Sequence, residues 1–221
     1  MRIQFGNLLV DIGLINLPSV NLIGRKGKDK FDHWFSDMSQ PFNMYSYQSS
    51  IIKSIVCVGL YPNVAATNDG IIGSALISNK ISISDPSVNG RSFWWDGKRE
   101  VNVHPSSVSF NLKKPRYPFM VFLEKVETSK IFLRDITIVS PYSILLFGGS
   151  ISVQHQAGIV TIDGWLKITA PAQIAVLFKE LRATLDAVLK ELIRKPEIST
   201  VVKNEVVQSI VQLLLDEEKS H

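Results

Sequence analysis

One cysteine in 221 residues leaves no partner for an intrachain disulfide and too few thiolates for a zinc site. Cys57 stands in the apolar run Ile55–Val58, which predicts a small buried hydrophobe in a reducing, intracellular compartment. No apolar run is long enough to span a bilayer, so no membrane partner is expected. No secretory signal is visible, and a single arginine with an early aspartate argues against a targeting role for Met1–Asp11. The four histidines (His33, His104, His155 and His221) lack ligand-like spacing. No G-x-x-x-x-G-K-[ST] loop occurs, which removes the backbone cradle that holds a nucleoside triphosphate. Asp216-Glu217-Glu218 is a charge cluster, not a magnesium-binding box. Phosphoryl transfer needs both phosphate and metal positioned, so this chain is not expected to hydrolyse ATP alone. Ser-His-Asp combinations come without a nucleophile elbow, and Asp11, Asp29, Asp32 and Asp37 make no convincing acid–base pair.

What the chain does have is a modest basic excess in one place. The net charge is +4, and residues 71–170 carry eleven Lys/Arg against seven Asp/Glu, which accounts for all of it. The first seventy residues are nearly neutral and the tail is slightly acidic. A basic middle suits phosphate, although a solvated surface has the same composition.

Hydrophobic periodicity divides the chain into three parts. In the first, residues 1–65, Phe5, Leu8, Leu9 and Ile12 fall at helical spacing and Gly13 is a stop signal. A long polar loop is expected from Asn16 to Tyr47. A second helix follows from Ser49 or Ser50, with Ile51, Ile52, Ile55 and Val56 facing inward and Pro62 ending it. Two helices cannot bury these faces by themselves, so further bundle helices are expected. The second part, residues 66–170, reads as a small β-barrel. Strands are expected at Ala75–Ser84, Glu100–His104, Phe119–Glu127, Lys130–Val139, Ser143–Phe147, Ser150–Gln154 and Thr161–Thr169. Apolar and polar residues alternate through Phe119, Val121, Leu123 and Lys125, and again through Ile131, Leu133, Asp135 and Thr137. The third part, residues 171–221, is a pair of helices. Ile174, Phe178, Leu181, Leu185, Val188 and Leu192 line the first, which Pro196 ends. Thr200 is the expected cap of the second, with Val206, Ile210, Leu213 and Leu214 on one face.

Several motifs recur in a fixed order. HPSSV (104–108) precedes EKVETSKIFLRDITIVSPYSILLFGG (124–149), and TSK-x-F-x-R-D and SP-x-x-x-L-x-F-GG stand inside the latter. Together they resemble the C-terminal OB-fold region of DEAH/RHA-type, DExH-box RNA helicases, most of all plant members. FGNLLVDIGLI (5–15) and SIIKSIVCVGLYPNVA (50–65) resemble the end of the helical domain before that OB-fold. DGWLKITAPAQIAVLFKELRATLDAVLKELIRKP (163–196) resembles the helical tail after it. The resemblance implies an α+β chain, with an OB-fold β-barrel flanked by an N-terminal helical remnant and a C-terminal pair of helices. It implies an auxiliary RNA-binding module whose parent unwinds RNA with ATP and magnesium held on motor domains absent from this chain. Implied partners are single-stranded RNA, those motor domains, and a ribosome or activator protein. Cytoplasm, nucleus and, for a plant parent, chloroplast are the compartments it leaves open.

The candidate RNA contacts are Thr128, Ser129, Lys130, Arg134, His104, Ser106, Ser107, Lys113 and Lys114. Thr128–Lys130 form a polar turn between two strands, where hydroxyls donate to phosphate oxygens and lysine adds a point charge. A plain hairpin turn selects the same residue types. In the resembling helicases this turn faces the bound strand. His104 either meets a base or phosphate or is a structural hydrogen-bonding residue. Ser106 and Ser107 touch the RNA backbone or only make the turn after Pro105. Lys113, Lys114 and Arg116 form a basic loop, and Trp94-Trp95 offers a stacking surface or a core ring. The alternative reading is a protein-interaction module whose apolar helical stripes dock on motor domains, a ribosome or an activator.

Overall fold

The computed structural model describes residues 2–17, 25–75, 93–111, 115–196 and 204–219. The chain divides into two compact units, Met1–Ile52 with Ala183–His221, and Lys53–Arg182. The expected strand Ala75–Ser84 lies outside the described residues apart from its first residue, as do the expected cap Thr200 and the lysines Lys113 and Lys114.

The first unit is helical. It holds α1 (Arg2–Asp11), α2 (Arg25–Ser36), a short 3-10 turn (Pro41–Asn43), the start of α3 (Ser49–Leu60), the end of α6 (Ala172–Arg194) and α7 (Glu205–Lys219). Phe5 and Leu8 of α1 and Ile12 just after it face solvent, each at least half exposed. α2 falls inside the stretch expected to be a loop. Its aromatic residues explain the difference: Phe31, Trp34 and Phe35 share one helical face, and Phe31 is buried. The Phe31 and Phe35 rings stack at 5.8 Å, and Phe42 meets Trp34 at 5.4 Å and Phe35 at 5.7 Å. Ring packing outweighs a polar composition here. Asn204 caps α7, its side-chain oxygen accepting from the Val206 and Val207 N–H groups at 3.0 and 3.2 Å.

The second unit contains the barrel. Strands β1 (Val64–Ala66), β3 (Trp94–Trp95), β4 (Glu100–Val103), β5 (Phe119–Glu127) and β6 (Ile131–Val139) close in the order β1-β3-β4-β6-β5. All pairs are antiparallel except β4–β6. This is the five-stranded Greek-key barrel of an OB-fold. Its interior holds Ala65, Trp94, Val101, Met120, Phe122, Ile131 and Leu133, with Val103, Ile136 and Ile138 packed against them.

Strict alternation does not run the length of β5 and β6. Ile131 and Leu133 face inward, but beyond Asp135 the inward residues are Ile136 and Ile138. Asp135 has φ 50, a left-handed conformation that reverses the parity of the strand. Opposite it Leu123 is 60% exposed, and β5 changes parity at the same step. Phe119 and Val121 therefore lie outside the barrel, yet both are fully buried. Phe119 packs beneath α4 (Asn68–Ile72), where a Cβ on Gly70 would sit 2.6 Å from its ring.

Three further expectations are corrected. Ser143–Phe147 is not a strand but part of α5 (Pro141–Phe147). Ser140 caps it, accepting from the Ser143 N–H at 3.2 Å, and Pro141 supplies a helical φ at the first position. Thr161–Thr169 is not one strand but a hairpin, β8 (Ile159–Ile162) and β9 (Leu166–Thr169). Asp163 and Gly164 both have positive φ, 49 and 78, as the central pair of a primed β-turn does, and Trp165, whose N–H donates to the Ile162 carbonyl at 3.2 Å, completes a three-residue connection. With β2 (Ser74–Ala75) and β7 (Ile151–Gln154), these strands build a separate sheet of order β2-β9-β8-β7, outside the barrel. On α3 the buried residues include Ile51, Ser54 and Cys57, whereas Ile52 and Ile55 are exposed. Ser54 is held by the Ser143 hydroxyl at 2.7 Å, so a small polar pair takes the place expected of isoleucines. Burial pushes the Cys57 thiol up to about 12, which keeps it an unreactive core residue.

The SP-x-x-x-L-x-F-GG motif is structural. Arg182 of α6 donates to the carbonyls of Gly148 and Gly149, the latter at 2.6 Å. The Asp163 carboxylate accepts from the Ser150 N–H at 2.7 Å and from the Tyr61 hydroxyl. A Cβ on Gly149 would collide with that carboxylate.

Two substitutions test this packing by denaturant unfolding. Gly70→Ala is expected to cost about 1–3 kcal/mol by overpacking against Phe119. Asp135→Val is expected to cost at least about 1–2 kcal/mol at its left-handed φ, and Asp135→Gly nothing.

Candidate nucleic-acid interface

The β5–β6 hairpin places Thr128, Ser129 and Lys130 at its tip, all exposed. The Thr128 N–H donates to the Lys130 carbonyl at 2.8 Å, and the Thr128 hydroxyl donates to the same oxygen at 3.2 Å. Both Thr128 donors therefore close the turn. Among the described residues, the Ser129 hydroxyl and the Lys130 ammonium have no side-chain bond within the protein, and they are the groups left to meet a ligand.

A buried carboxylate anchors the neighbouring turn. Asp96 is 3% exposed and accepts from the Lys98 and Arg99 N–H groups at 3.0 and 2.9 Å. Its other oxygen binds the Lys125 ammonium, which also lies 5.5 Å from the Phe122 ring centre. Burial pushes the Asp96 carboxyl up, but the Lys125 ammonium and the two N–H groups more than offset this and hold it below the usual range. Arg99 then makes a bidentate pair with Glu127 at 2.8 and 2.9 Å, tying this turn to the end of β5 beside the hairpin tip.

The outer face of the barrel shows how the remaining candidates are arranged. β4 runs parallel to β6, with Asn102 beside Phe132 and Val103 beside Leu133. Continuing that register places Glu100 beside Lys130 and His104 beside Arg134. On the other flank Val126 pairs with Phe132 and Glu124 with Arg134. Lys130, Phe132 and Arg134 thus stand in one outward row, while Ile131 and Leu133 between them are buried. Arg134 is partly neutralised by Glu124 at 3.5 Å. Lys130 and Arg134 are four residues apart, roughly 13 Å at about 3.3 Å per residue.

His104 continues β4 through its N–H, which donates to the Leu133 carbonyl at 3.0 Å. Its ring sits edge-to-face with Phe132, centroids 5.7 Å apart and planes at 79°. The Ser106 N–H reaches His104 Nδ1 at 3.2 Å, and the Ser106 hydroxyl is 2.7 Å from the same atom. A backbone N–H can only donate, so Nδ1 is the acceptor and the neutral ring carries its proton on Nε2. Ser107 is committed to the turn: its N–H donates to the His104 carbonyl at 2.9 Å, and its hydroxyl accepts from the Ser109 N–H at 3.3 Å. The structure therefore brings Lys130, Arg134 and His104 onto one face, with Ser129 at its upper end. Arg116 lies over the Tyr117 ring at 5.1 Å, and the loop holding Lys113 and Lys114 is outside the described residues. Trp94 is a core ring, and Trp95 remains 38% exposed.

In the sequence Phe132 stands out only as the F of TSK-x-F-x-R-D, not as a candidate contact, and Asp96 does not stand out as an anchor. Phe132 was legible as the middle of the alternation Lys130, Phe132, Arg134. Asp96-Gly97 is legible locally as a turn, but the ion pair is not, since its partner Lys125 is 29 positions away. No cluster of His, Cys, Asp or Glu among the described residues is suited to a metal.

Comparison with known proteins agrees with the OB-fold. Residues 52–151 match the oligonucleotide/oligosaccharide-binding (OB)-fold family, and residues 158–216 match the C-terminal domain in RNA helicases. The chain is 56% identical over 219 residues, 99% of its length, to the DExH-box ATP-dependent RNA helicase DExH4, chloroplastic, of Arabidopsis thaliana. It belongs to the DExH-box RNA helicase family. Its match to the ATP-dependent RNA helicase dhx29 of Xenopus laevis is 36% over 78% of the chain, and to the human ATP-dependent DNA/RNA helicase DHX36 it is 37% over 70%. The chain spans only 15%, 12% and 14% of those three helicases. An OB-fold followed by a C-terminal domain of RNA helicases is what the resemblance of the HPSS, TSK and FGG motifs implies.

The anchor makes a pH test. A carboxyl held below its usual range adds stability above the unfolded pKa of about 3.9, and that stability is lost as pH falls through the lower folded value. Urea unfolding from pH 6 to pH 2 should show the wild type losing this component below about pH 4. Asp96→Asn should be less stable at pH 6 and should lack that component.

Proposed function

We propose that this chain is the auxiliary RNA-binding module of a DExH-box helicase, in which the barrel guides single-stranded RNA to motor domains outside this chain. One observation carries the reading: Lys130, Arg134 and His104 share the outer face of β4 and β6, with the unpaired Ser129 hydroxyl at the hairpin tip. Phosphate contact there is electrostatic and independent of sequence, which suits a channel wall more than a sequence reader. On this reading the parent's ATP and magnesium belong to the motor domains; the sequence has no triphosphate-cradling loop, and among the described residues no acidic or histidine cluster is suited to a metal. No helix among the described residues is long and apolar enough to cross a membrane. The name of the Arabidopsis relative favours a chloroplast among the compartments open to a plant parent.

A second reading rests on the exposed apolar stripe of Phe5 and Leu8 in α1 with Ile12 just after it. That stripe would dock on motor domains, a ribosome or an activator protein.

The test is fluorescence anisotropy of this chain with labelled single-stranded RNA at two salt concentrations. Affinity should fall steeply with salt, and Lys130→Ala should reduce the slope of log affinity against log salt by about 0.7, one phosphate contact. Equal binding and equal slopes for wild type and Lys130→Ala would overturn the phosphate role of the hairpin. Absence of binding at low salt would leave the docking reading.

A further inference from the structure

Between the charged rows on the outer barrel face lies an apolar strip. Phe132 and Val126 are paired across β6 and β5, both half-buried, with Asn102 on the other flank of Phe132. Inward neighbours Ile131 and Leu133 fill the barrel core, so Phe132 is not needed to complete that core. Lys130 stands two residues before it and Arg134 two residues after it, about 7 Å away on either side along the strand. An aromatic ring flanked at both ends by cations is complementary to a single strand, with its flat apolar bases and anionic linkages.

We propose that Phe132 is the stacking platform for one unpaired base, held between phosphates at Lys130 and Arg134. The perpendicular ring of His104 walls one side of this site. Ser106 occupies Nδ1 of that ring, which leaves Nε2–H, without a protein acceptor among the described residues, to donate to the edge of the bound base. Ser106 is thus a positioning residue that fixes the tautomer. Stacking accepts any base, so the site adds affinity without selecting a sequence. Glu124 competes for Arg134, so its phosphate partner must displace a carboxylate, whereas Lys130 needs no such displacement.

This inference rests on the RNA reading above, and the experiment separates the two. The chain is titrated with a uridine decamer and with a decamer of abasic ribose phosphate. Wild type should bind the uridine oligomer roughly 5-fold or more tightly than the abasic one. Phe132→Leu, which keeps an apolar body but no aromatic face, should erase that difference and keep the salt slope. A difference that survives Phe132→Leu, or one absent from the wild type, overturns the base site while leaving phosphate binding intact. Failure to bind either oligomer overturns the RNA reading and the base site with it. A wild-type readout guards against misfolding of the variant: photocrosslinking with a 4-thiouridine oligomer should map to the peptide holding Phe132 or to the one holding His104. Crosslinks confined to other peptides overturn the site.

Discussion

A single backbone conformation organises the barrel. At φ 50, Asp135 turns the inward face of β6 from odd-numbered to even-numbered residues, and β5 changes with it. Without that reversal, Ile131 and Leu133 would line the interior while Ile136 and Ile138 faced away. The same reversal puts Phe119 and Val121 on the far side, where α4 covers Phe119. One long hairpin therefore feeds two hydrophobic layers, and its charged, outward segment is confined to the half that carries Lys130, Phe132 and Arg134. Fold and candidate interface share this one constraint.

The cations of the barrel are not equivalent. Arg99 and Arg134 are exposed and already carry carboxylate partners, and such surface pairs contribute about 0–1 kcal/mol each. Lys125 answers a nearly buried Asp96 and serves the architecture. Lys130 remains outside these pairs. The net charge of +4 already subtracts these pairs, so it does not show where the unpaired cations stand; on the outer barrel face Lys130 is one of them.

Much of the hairpin could be read from residue order. The apolar-rich runs on either side of Glu-Thr-Ser-Lys mark two strands and a turn, though not the change of face at Asp135, and His104 with Ser106 forms a local unit. Other features depend on information that periodicity does not hold. The run Ser143–Phe147 suits strand or helix equally, and the cap at Ser140 decides it. Asp163-Gly164 was a hairpin signal inside what otherwise reads as one strand. In α3 Ile52 and Ile55 are exposed while Ile51, Ser54 and Cys57 are buried, and Ser54 meets the Ser143 hydroxyl, a partner 89 positions away. The link between Lys125 and Asp96 joins distant turns and becomes visible only once the barrel closes.

Closure itself has a kinetic consequence. The β5–β6 hairpin pairs residues a few positions apart at its tip, whereas the ring is completed by Val64 meeting Val121 and by Asn102 meeting Phe132. Those last pairings close long loops, whose entropy must be lost before any contact rewards it. The hairpin is therefore the natural early structure during folding, and β1 and β4 dock on its two edges late. Until they arrive, both edges of the hairpin expose unpaired backbone amides and carbonyls, the surface through which folding chains stick to one another. In a chain this dependent on non-local pairing, the seam between β1 and β5 marks the interval of greatest vulnerability to aggregation.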